Sequence, residues 1–227
     1  MNECHRGCMK PPVSHPLFAR AYACSTPAMD RAGAAEHRRR LLMRLTGRVI
    51  EVGAGDGANF DHYPAGVTSV LAVEPEQYLR GRAQQRAARA PVPIEVVDGV
   101  AEQLPVSNQD FDAAVVSLVL CSVTDQDQAL RELHRVLASG GQLRFFEHVR
   151  AESLVLRRVQ RLLDATVWPS IAGGCHTGRD TAATIGRAGF RIDRLHHFRF
   201  PDVGLSLPTS PHILGAASRV SPVRETG

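Results

Sequence analysis

Val49-Ile50-Glu51-Val52-Gly53-Ala54-Gly55-Asp56-Gly57-Ala58-Asn59-Phe60 decides how this chain reads. A short β-branched run drives into three alternate glycines, and Asn59 and Phe60 then open a predicted helix, so the pattern is strand, tight turn, helix start. Glycine lacks a Cβ, so the backbone can take positive φ and let a ligand approach to contact distance. A helix start presents unpaired N–H groups towards the same place. The stretch predicts a nucleotide-binding turn at the carboxyl end of a first strand.

Spacing alone leaves two ligands open. Gly53-x-Gly55-x-x-Ala58 satisfies the dinucleotide fingerprint, whereas Glu51-x-Gly53-x-Gly55-x-Gly57 looks like the first motif of S-adenosylmethionine (SAM) methyltransferases. Charge offers a first discrimination between them. A pyrophosphate wants the bare helix N-terminus, but the methionine end of SAM is a zwitterion beside a sulfonium and tolerates the flanking Glu51 and Asp56.

At 227 residues and 44% hydrophobic content, the chain is long enough for one well-buried domain, and no composition shift marks a second. No apolar run approaches the roughly 20 residues of a membrane span, and no apolar stretch follows the basic residues near the start. Neither anchor nor secretory signal is expected, and the predicted location is cytoplasmic. Five scattered cysteines, an odd number, argue for free thiols in a reducing compartment. Cys4-x-x-x-Cys8 with His5 has no second half at ligand spacing, so no metal is expected. The formal charge of +4 does not read as a nucleic-acid footprint, because Lys10 is the only lysine and the arginines are spread along the chain. The one local cluster, His37-Arg38-Arg39-Arg40, precedes Leu41, Leu42 and Leu45 and reads as a solvated helix face.

In order, residues 1–16 form a proline-punctuated tail and 17–46 a helical segment in two pieces, broken near Pro27, that could act as a lid; the domain spans 17–219 and a short tail 220–227 follows. Val67 to Val73 is the second strand, ending in Glu74-Pro75. Glu74, 21 positions after Gly53, is placed to accept hydrogen bonds from both ribose hydroxyls. Gln77 to Ala90 suits a helix and Ile94 to Val97 a third strand. Phe111 to Val119 is continuously apolar, as a strand buried on both faces is. Thr124 or Asp125 caps a helix carrying Ala129, Leu130, Leu133, Val136 and Leu137 on one stripe, which Ala138-Ser139-Gly140-Gly141 should stop with a left-handed glycine cap. Gln142 to Glu147 is a fifth strand, Arg191 to Phe198 a sixth and His212 to Ser218 a seventh. Alternating strands and helices predict an α/β, Rossmann-like, seven-stranded and mostly parallel sheet with helices on both faces. Every residue singled out stands at a strand's carboxyl end, where such sheets bind ligands.

Glu51-Val52-Gly53-Ala54-Gly55-Asp56-Gly57, Ala72-Val73-Glu74-Pro75, Ala101-Glu102-Gln103-Leu104-Pro105, Phe111-Asp112-Ala113 and Arg135-Val136-Leu137-Ala138-Ser139-Gly140-Gly141 occur in the order and spacing of class I SAM-dependent methyltransferases of the UbiE-like type. Leu118-Val119-Leu120-Cys121-Ser122-Val123, Glu147-His148-Val149, Thr166-Val167-Trp168, Gly173-Gly174-Cys175-His176, Arg179-Asp180-Thr181 and Pro211-His212-Ile213-Leu214-Gly215 more narrowly resemble the animal methyltransferase-like thiol S-methyltransferases and their bacterial relatives, over about residues 17 to 219. Those animal enzymes begin with a membrane-anchoring helix; no such anchor is expected here, so a lipid-associated location is not carried over. The resemblance implies a SAM site built from Glu51, Gly53, Ala54, Gly55, Gly57, Asn59, Glu74, Pro75, Val100, Ala101, Glu102, Ser117 and Leu118. The glycines line the methionine part, Glu74 holds the ribose, and Val100 with Ala101 meets the adenine. Many members carry an acidic residue where Val100 stands, which leaves Glu102 and backbone groups as substitutes. Ser117 and Leu118 lie near the sulfonium and acceptor.

Methyl transfer is an in-line displacement, so alignment and removal of water from the nucleophile carry much of it. A thiol acceptor must become a thiolate, and an oxygen or nitrogen acceptor needs a positioned histidine. The catalytic candidates are His148, His176 and Asp180, with an N-cap as the competing role for Asp180. The candidate acceptor contacts are Tyr22, Cys121, Trp168, Cys175, Arg179 and His212. Cys121 also reads as a small buried hydrophobe, and Cys175-His176 as neighbours on a loop that point apart. The sequence thus predicts a SAM-dependent methyltransferase of a small molecule, a thiol first, acting as a monomer or homodimer without nucleic acid or membrane. The alternatives are an O-, N- or C-methyltransferase and a SAM-binding partner protein without turnover.

Overall fold

The computed structural model describes residues 15–166, 168–201 and 207–220. Most of the tail predicted over 1–16, and all but Val220 of that over 220–227, lies outside the described residues. The chain enters through α1 (Pro16–Met29), a π-helical segment (Asp30–Ala34) and α2 (Ala35–Leu42), then forms β1 (Gly47–Val52), β2 (Val67–Val73), α3 (Gln77–Ala87), β3 (Ile94–Val97) and β4 (Phe111–Ser117). The second half holds α4 (Gln126–Val136), β5 (Leu137–His148), α5 (Leu154–Asp164), α6 (Trp168–Ile171), α7 (Thr181–Arg187), β6 (Phe190–Arg199) and β7 (Pro211–Arg219). The strands make one seven-stranded sheet in the order β3-β2-β1-β4-β5-β7-β6. All pairings are parallel except those of β7, which runs antiparallel to β5 and β6.

The apolar strands are buried on both faces, and the period of two sorts their side chains. Ile50, Val52, Ala114, Val116, Leu143 and Phe145 pack on one face with Leu130, Leu133 and Val136 of α4 and Ile185 of α7. Val49, Val70, Val115 and Phe146 pack on the other with Leu41 and Leu42 of α2 and Ala83 of α3. Strand order reverses between β1 and β4, so the crevice of the sheet opens beyond Val52 and Ser117. Two surface clefts, one lined by Arg44, Asp112 and Gly141 and the other by Arg48, Leu71 and Glu95, lie at the opposite, amino end of the strands.

Several predicted boundaries shift. No α-helix follows the glycine loop; after a series of turns the chain makes one short 3-10 turn, Phe60–His62, so the ligand end of β1 is a loop and not a helix terminus. Pro27 sits inside α1, and the break comes later, where Gly33 takes φ 115°. Helix α4 ends on Leu137 in extended conformation, and β5 begins there, so Gly140 with its φ of 74° turns the chain after the helix without capping it. Strand β4 stops at Ser117 because Leu118 takes φ 61°, a left-handed conformation that costs a side-chain-bearing residue free energy. Among the described residues, no helix is long and apolar enough to cross a membrane.

Two buried polar residues tie the loops to this frame. Glu51 is 1% exposed and accepts hydrogen bonds from Tyr63 Oη at 2.6 Å and Asn59 Nδ2 at 2.8 Å, which hold the chain after the glycine turn. Gln160 of α5 is fully buried; its Oε1 accepts from Ala151 N at 2.8 Å, and its Nε2 reaches the carbonyls of Val149, Thr177 and Pro208 at 2.8–3.1 Å. One amide thus joins three loops.

Burial raises the Glu51 carboxyl to about 7, against the opposing pull of the Tyr63 and Asn59 hydrogen bonds. The folded chain therefore holds this proton more tightly than the unfolded one. The contribution to stability is complete below the unfolded value near 4.5 and is lost as pH rises through about 7, with a slope of up to about 1.4 kcal/mol per pH unit. Denaturant unfolding across pH 5 to 8 should show Glu51→Gln gaining on the wild type as pH rises; parallel pH profiles would refute the assignment. Gln160→Ala strands three carbonyls and an N–H, and should cost about 3 kcal/mol in the same measurement, with a cost under about 1 kcal/mol counting against the tie.

Candidate active site

The glycine turn is shaped by backbone need. Gly53, Gly55 and Gly57 take φ of 70°, 59° and 80°, and a Cβ on Gly53 would come within 2.4 Å of Val119 Cγ2. Glu74, 5% exposed at the end of β2, closes the turn: one carboxylate oxygen accepts from Gly55 N at 2.8 Å and the other from Glu76 N at 2.9 Å. Each oxygen retains a second lone pair. Burial raises the Glu74 carboxyl, while the two backbone bonds lower it. Ala54 is buried in the turn, and Pro75 follows Glu74. Val100 bridges to Gln103 beyond β3. Glu102 does not stand free beside Val100 and Ala101. Its Oε1 accepts from Thr124 N at 2.9 Å and Asp125 N at 3.3 Å, a clamp on the entry to α4, where Asp125 caps Gln128 N.

The sequence reading missed Arg38. Taken for part of a solvated face, it is 2% exposed; its Nη1 donates to Asn59 Oδ1 at 3.2 Å and its Nε to Asp30 Oδ1 at 3.1 Å. Arg38 lies three, four and seven positions before Leu41, Leu42 and Leu45, so the helical period already put it on the buried stripe. Arg39 and Arg40 do face outward, paired with Glu36. Tyr22, expected at the acceptor, instead packs against the glycine turn, its Cε1 3.2 Å from a Cβ built on Gly55. Four positions earlier, Phe18 packs against Gly173. Helix α1 thus touches both the turn and the loop that carries Cys175.

Glu147 was also missed. It is fully buried at the end of β5, and its carboxylate accepts from three consecutive amides, Val119 N at 2.9 Å, Leu120 N at 3.0 Å and Cys121 N at 3.3 Å. An acidic residue inside an otherwise apolar strand end was the available signal. Arg179 completes this clamp and is not a free acceptor contact: Nη1 donates to Leu120 O at 2.6 Å and Nη2 to Val123 O at 2.7 Å.

The loop so held brings Cys121 to His148 and Cys175. The two sulfurs and an imidazole nitrogen all lie within 4.8 Å of one another. Cys175 Sγ is 3.2 Å from His148 Nε2 and accepts from Trp168 Nε1 at 3.4 Å. Cys121 is 2% exposed and Cys175 8%. The Cys121 thiol bonded to Cys175 lowers the Cys175 thiol, with His148 and Trp168 acting in the same direction against burial, and Cys121 moves up. Burial alone would lower His148, but the Cys175 sulfur together with the Glu147 and Asp164 carboxylates raises it.

The partner of Cys175 is therefore His148, 27 positions away, and not its neighbour His176, whose Nδ1 lies 2.8 Å from Gly174 O. His176 N donates to Cys121 O at 2.8 Å, which makes it a brace between the two loops. Asp180 takes the competing role: it caps α7 through Ala183 N and pairs with Arg150. His212 is 5% exposed among Phe146, Phe198, Phe200 and His148, with Nδ1 bonded to Ser210 O; burial pushes it down to about 4, so it packs as a neutral aromatic.

Comparison with known proteins places the chain among methyltransferases. A family model described as a methyltransferase domain matches residues 50–145. The chain is 36% identical to thiol S-methyltransferase TMT1B of Rattus norvegicus over 178 residues, which are 74% of this chain and 69% of that protein. It is 35% identical to thiol S-methyltransferase TMT1A of Homo sapiens over 173 residues, again 74% and 69%. The fold matches a SAM-dependent methyltransferase structure from Thermotoga maritima with a TM-score of 0.66 at 21% identity, covering 89% of this chain and 97% of that one. Sheet order, glycine turn and these relatives together show that the chain belongs to the class I SAM-dependent methyltransferases, in the family that includes the thiol S-methyltransferases TMT1A and TMT1B.

Proposed function

We propose that this methyltransferase transfers the methyl group of SAM to the sulfur of a small thiol. The observation that carries the acceptor class is the cluster at the carboxyl ends of β4 and β5, where Trp168 Nε1 and His148 Nε2 both reach a sulfur atom. A site that solvates sulfur with an indole N–H and an imidazole suits a thiol better than a hydroxyl or an amine. The names of the TMT1A and TMT1B relatives point to the same class.

The residues around the crevice fit SAM. Ser117 Oγ, Asp56 Oδ1 and Arg38 Nη2 are buried without hydrogen-bond partners, which sets polar positions from the end of β4 to the glycine turn. We assign Glu74 to the ribose hydroxyls, the Gly53–Gly57 turn with Asn59 and Arg38 to the amino-acid end, and Ser117 with Leu118 to the neighbourhood of the sulfonium. SAM supplies an electrophilic methyl carbon on that sulfonium. The protein aligns the acceptor and removes water from it. The contacts of α1 with both Gly55 and Gly173 support its reading as a lid over cofactor and acceptor. The free thiols of Cys121 and Cys175 suit the reducing cytoplasm, and the scattered arginines support a small acceptor over a nucleic acid.

The test follows S-adenosylhomocysteine formation against small alkyl and aryl thiols with matched alcohols and amines, and SAM binding by calorimetry. Turnover should be confined to thiols, and Glu74→Ala should weaken SAM binding by at least about tenfold, since it removes a buried charged acceptor of two hydroxyls. Turnover on the alcohols or amines but not the thiols would overturn the acceptor class. Undiminished SAM binding by Glu74→Ala would overturn the ribose assignment.

A further inference from the structure

We propose that Cys121 Sγ, Cys175 Sγ and the His148 imidazole form a site for one soft divalent cation of the zinc type, with a fourth coordination position left for the sulfur of the acceptor. The donor atoms are already gathered. A tetrahedral zinc ion, with Zn–S of about 2.3 Å and Zn–N of about 2.0–2.1 Å, sets its donors about 3.5–3.8 Å apart. Here all three lie within 4.8 Å of one another, with Cys175 Sγ and His148 Nε2 at 3.2 Å, so small side-chain adjustments complete the geometry.

The backbone that carries these donors is held from several sides. Glu147 and Arg179 clamp the loop of Cys121. His148 ends β5, paired with His212 of β7. Cys175 follows Gly173 and Gly174, at φ 62° and 87°, and the next amide donates to Cys121 O, so the two cysteine loops are bonded directly to each other. A Cβ on Gly174 would come within 2.6 Å of Ser122 O, a close approach that only glycine permits.

The chemistry of the set selects the ion. Two sulfurs and an imidazole favour zinc-like cations over magnesium or calcium, and the adjacent Glu147 carboxylate spends its oxygens on three amides. Three protein ligands with an open position is the pattern of catalytic rather than structural zinc. A thiol that binds there loses its proton to water. Its sulfur then forms the new S–CH3 bond as the methyl–sulfonium bond of SAM breaks, leaving S-adenosylhomocysteine. This catalytic role rests on the thiol reading above; the cation site rests on the three donors alone.

The experiment titrates Co2+, as a spectroscopic probe for zinc, into the full-length chain after chelation and reduction with a phosphine. Saturation at one Co2+ per chain is expected, with a thiolate-to-cobalt charge-transfer band in the near ultraviolet and visible bands of tetrahedral intensity. Cys175→Ser and His148→Gln should each abolish stoichiometric uptake while still binding SAM, which reports that they are folded. Wild-type chain that binds SAM but takes up no Co2+ overturns the site, as does unchanged uptake by both variants. Thiol turnover that needs zinc supports the catalytic role. Equal thiol turnover by stripped and zinc-loaded chain overturns that role and leaves the thiol acceptor standing, whereas one bound Co2+ without turnover on any thiol overturns the acceptor class and leaves the cation site standing.

Discussion

The Glu147 carboxylate is the constraint on which the loop after β4 depends. A carboxylate buried at the end of a central strand has lost its water and must be compensated by hydrogen bonds. Three successive amides after β4 supply them, and in doing so the segment from Val119 to Cys121 is turned back over the sheet. The carbonyls of that segment then face the other way, where Arg179, Gln126 and His176 take them up. Leu118, held at φ 61°, is the hinge of this turn, and the surrounding bonds offset the strain.

The glycine turn is organised by a similar device at the end of β2, three strands along the sheet from β5. Glu74 accepts from the backbone of the glycine turn and of the α3 entry, so the acid assigned to the ribose also braces the turn. Glu51, one strand further in, does the same for the residues after the turn. Three acidic residues at the ends of β1, β2 and β5 thus fix three loops. Burial raises each of them, which places the loops of a methyltransferase crevice under the control of buried carboxyls.

Helix α1 connects the glycine turn with the loop that carries Cys175. Tyr22 rests on Gly55 and Phe18 on Gly173, so one apolar face of a single helix senses the cofactor turn and the cysteine loop together. Arg38 on α2 stands beside the same turn, with one nitrogen unpartnered.

The sequence by itself determined the sheet and its ligand end. Alternating apolar strands, amphipathic helices such as α4 and the glycines at 53, 55 and 57 are local signals, and each is written in a few adjacent residues. The position of Glu74 at the end of β2 was legible for the same reason, because strand length and the spacing from Gly53 place it. Tertiary structure alone decided which side chains meet. Cys175 pairs with His148 rather than His176, Arg179 and Glu102 turn out to be clamps, and His212 packs as an aromatic, because loop packing brings distant residues together and a period along the chain carries no record of it. The missing helix after the glycine turn has the same origin: Asn59 and Phe60 are claimed by Glu51, Arg38 and the core, and these tertiary contacts override the local propensity of a short segment.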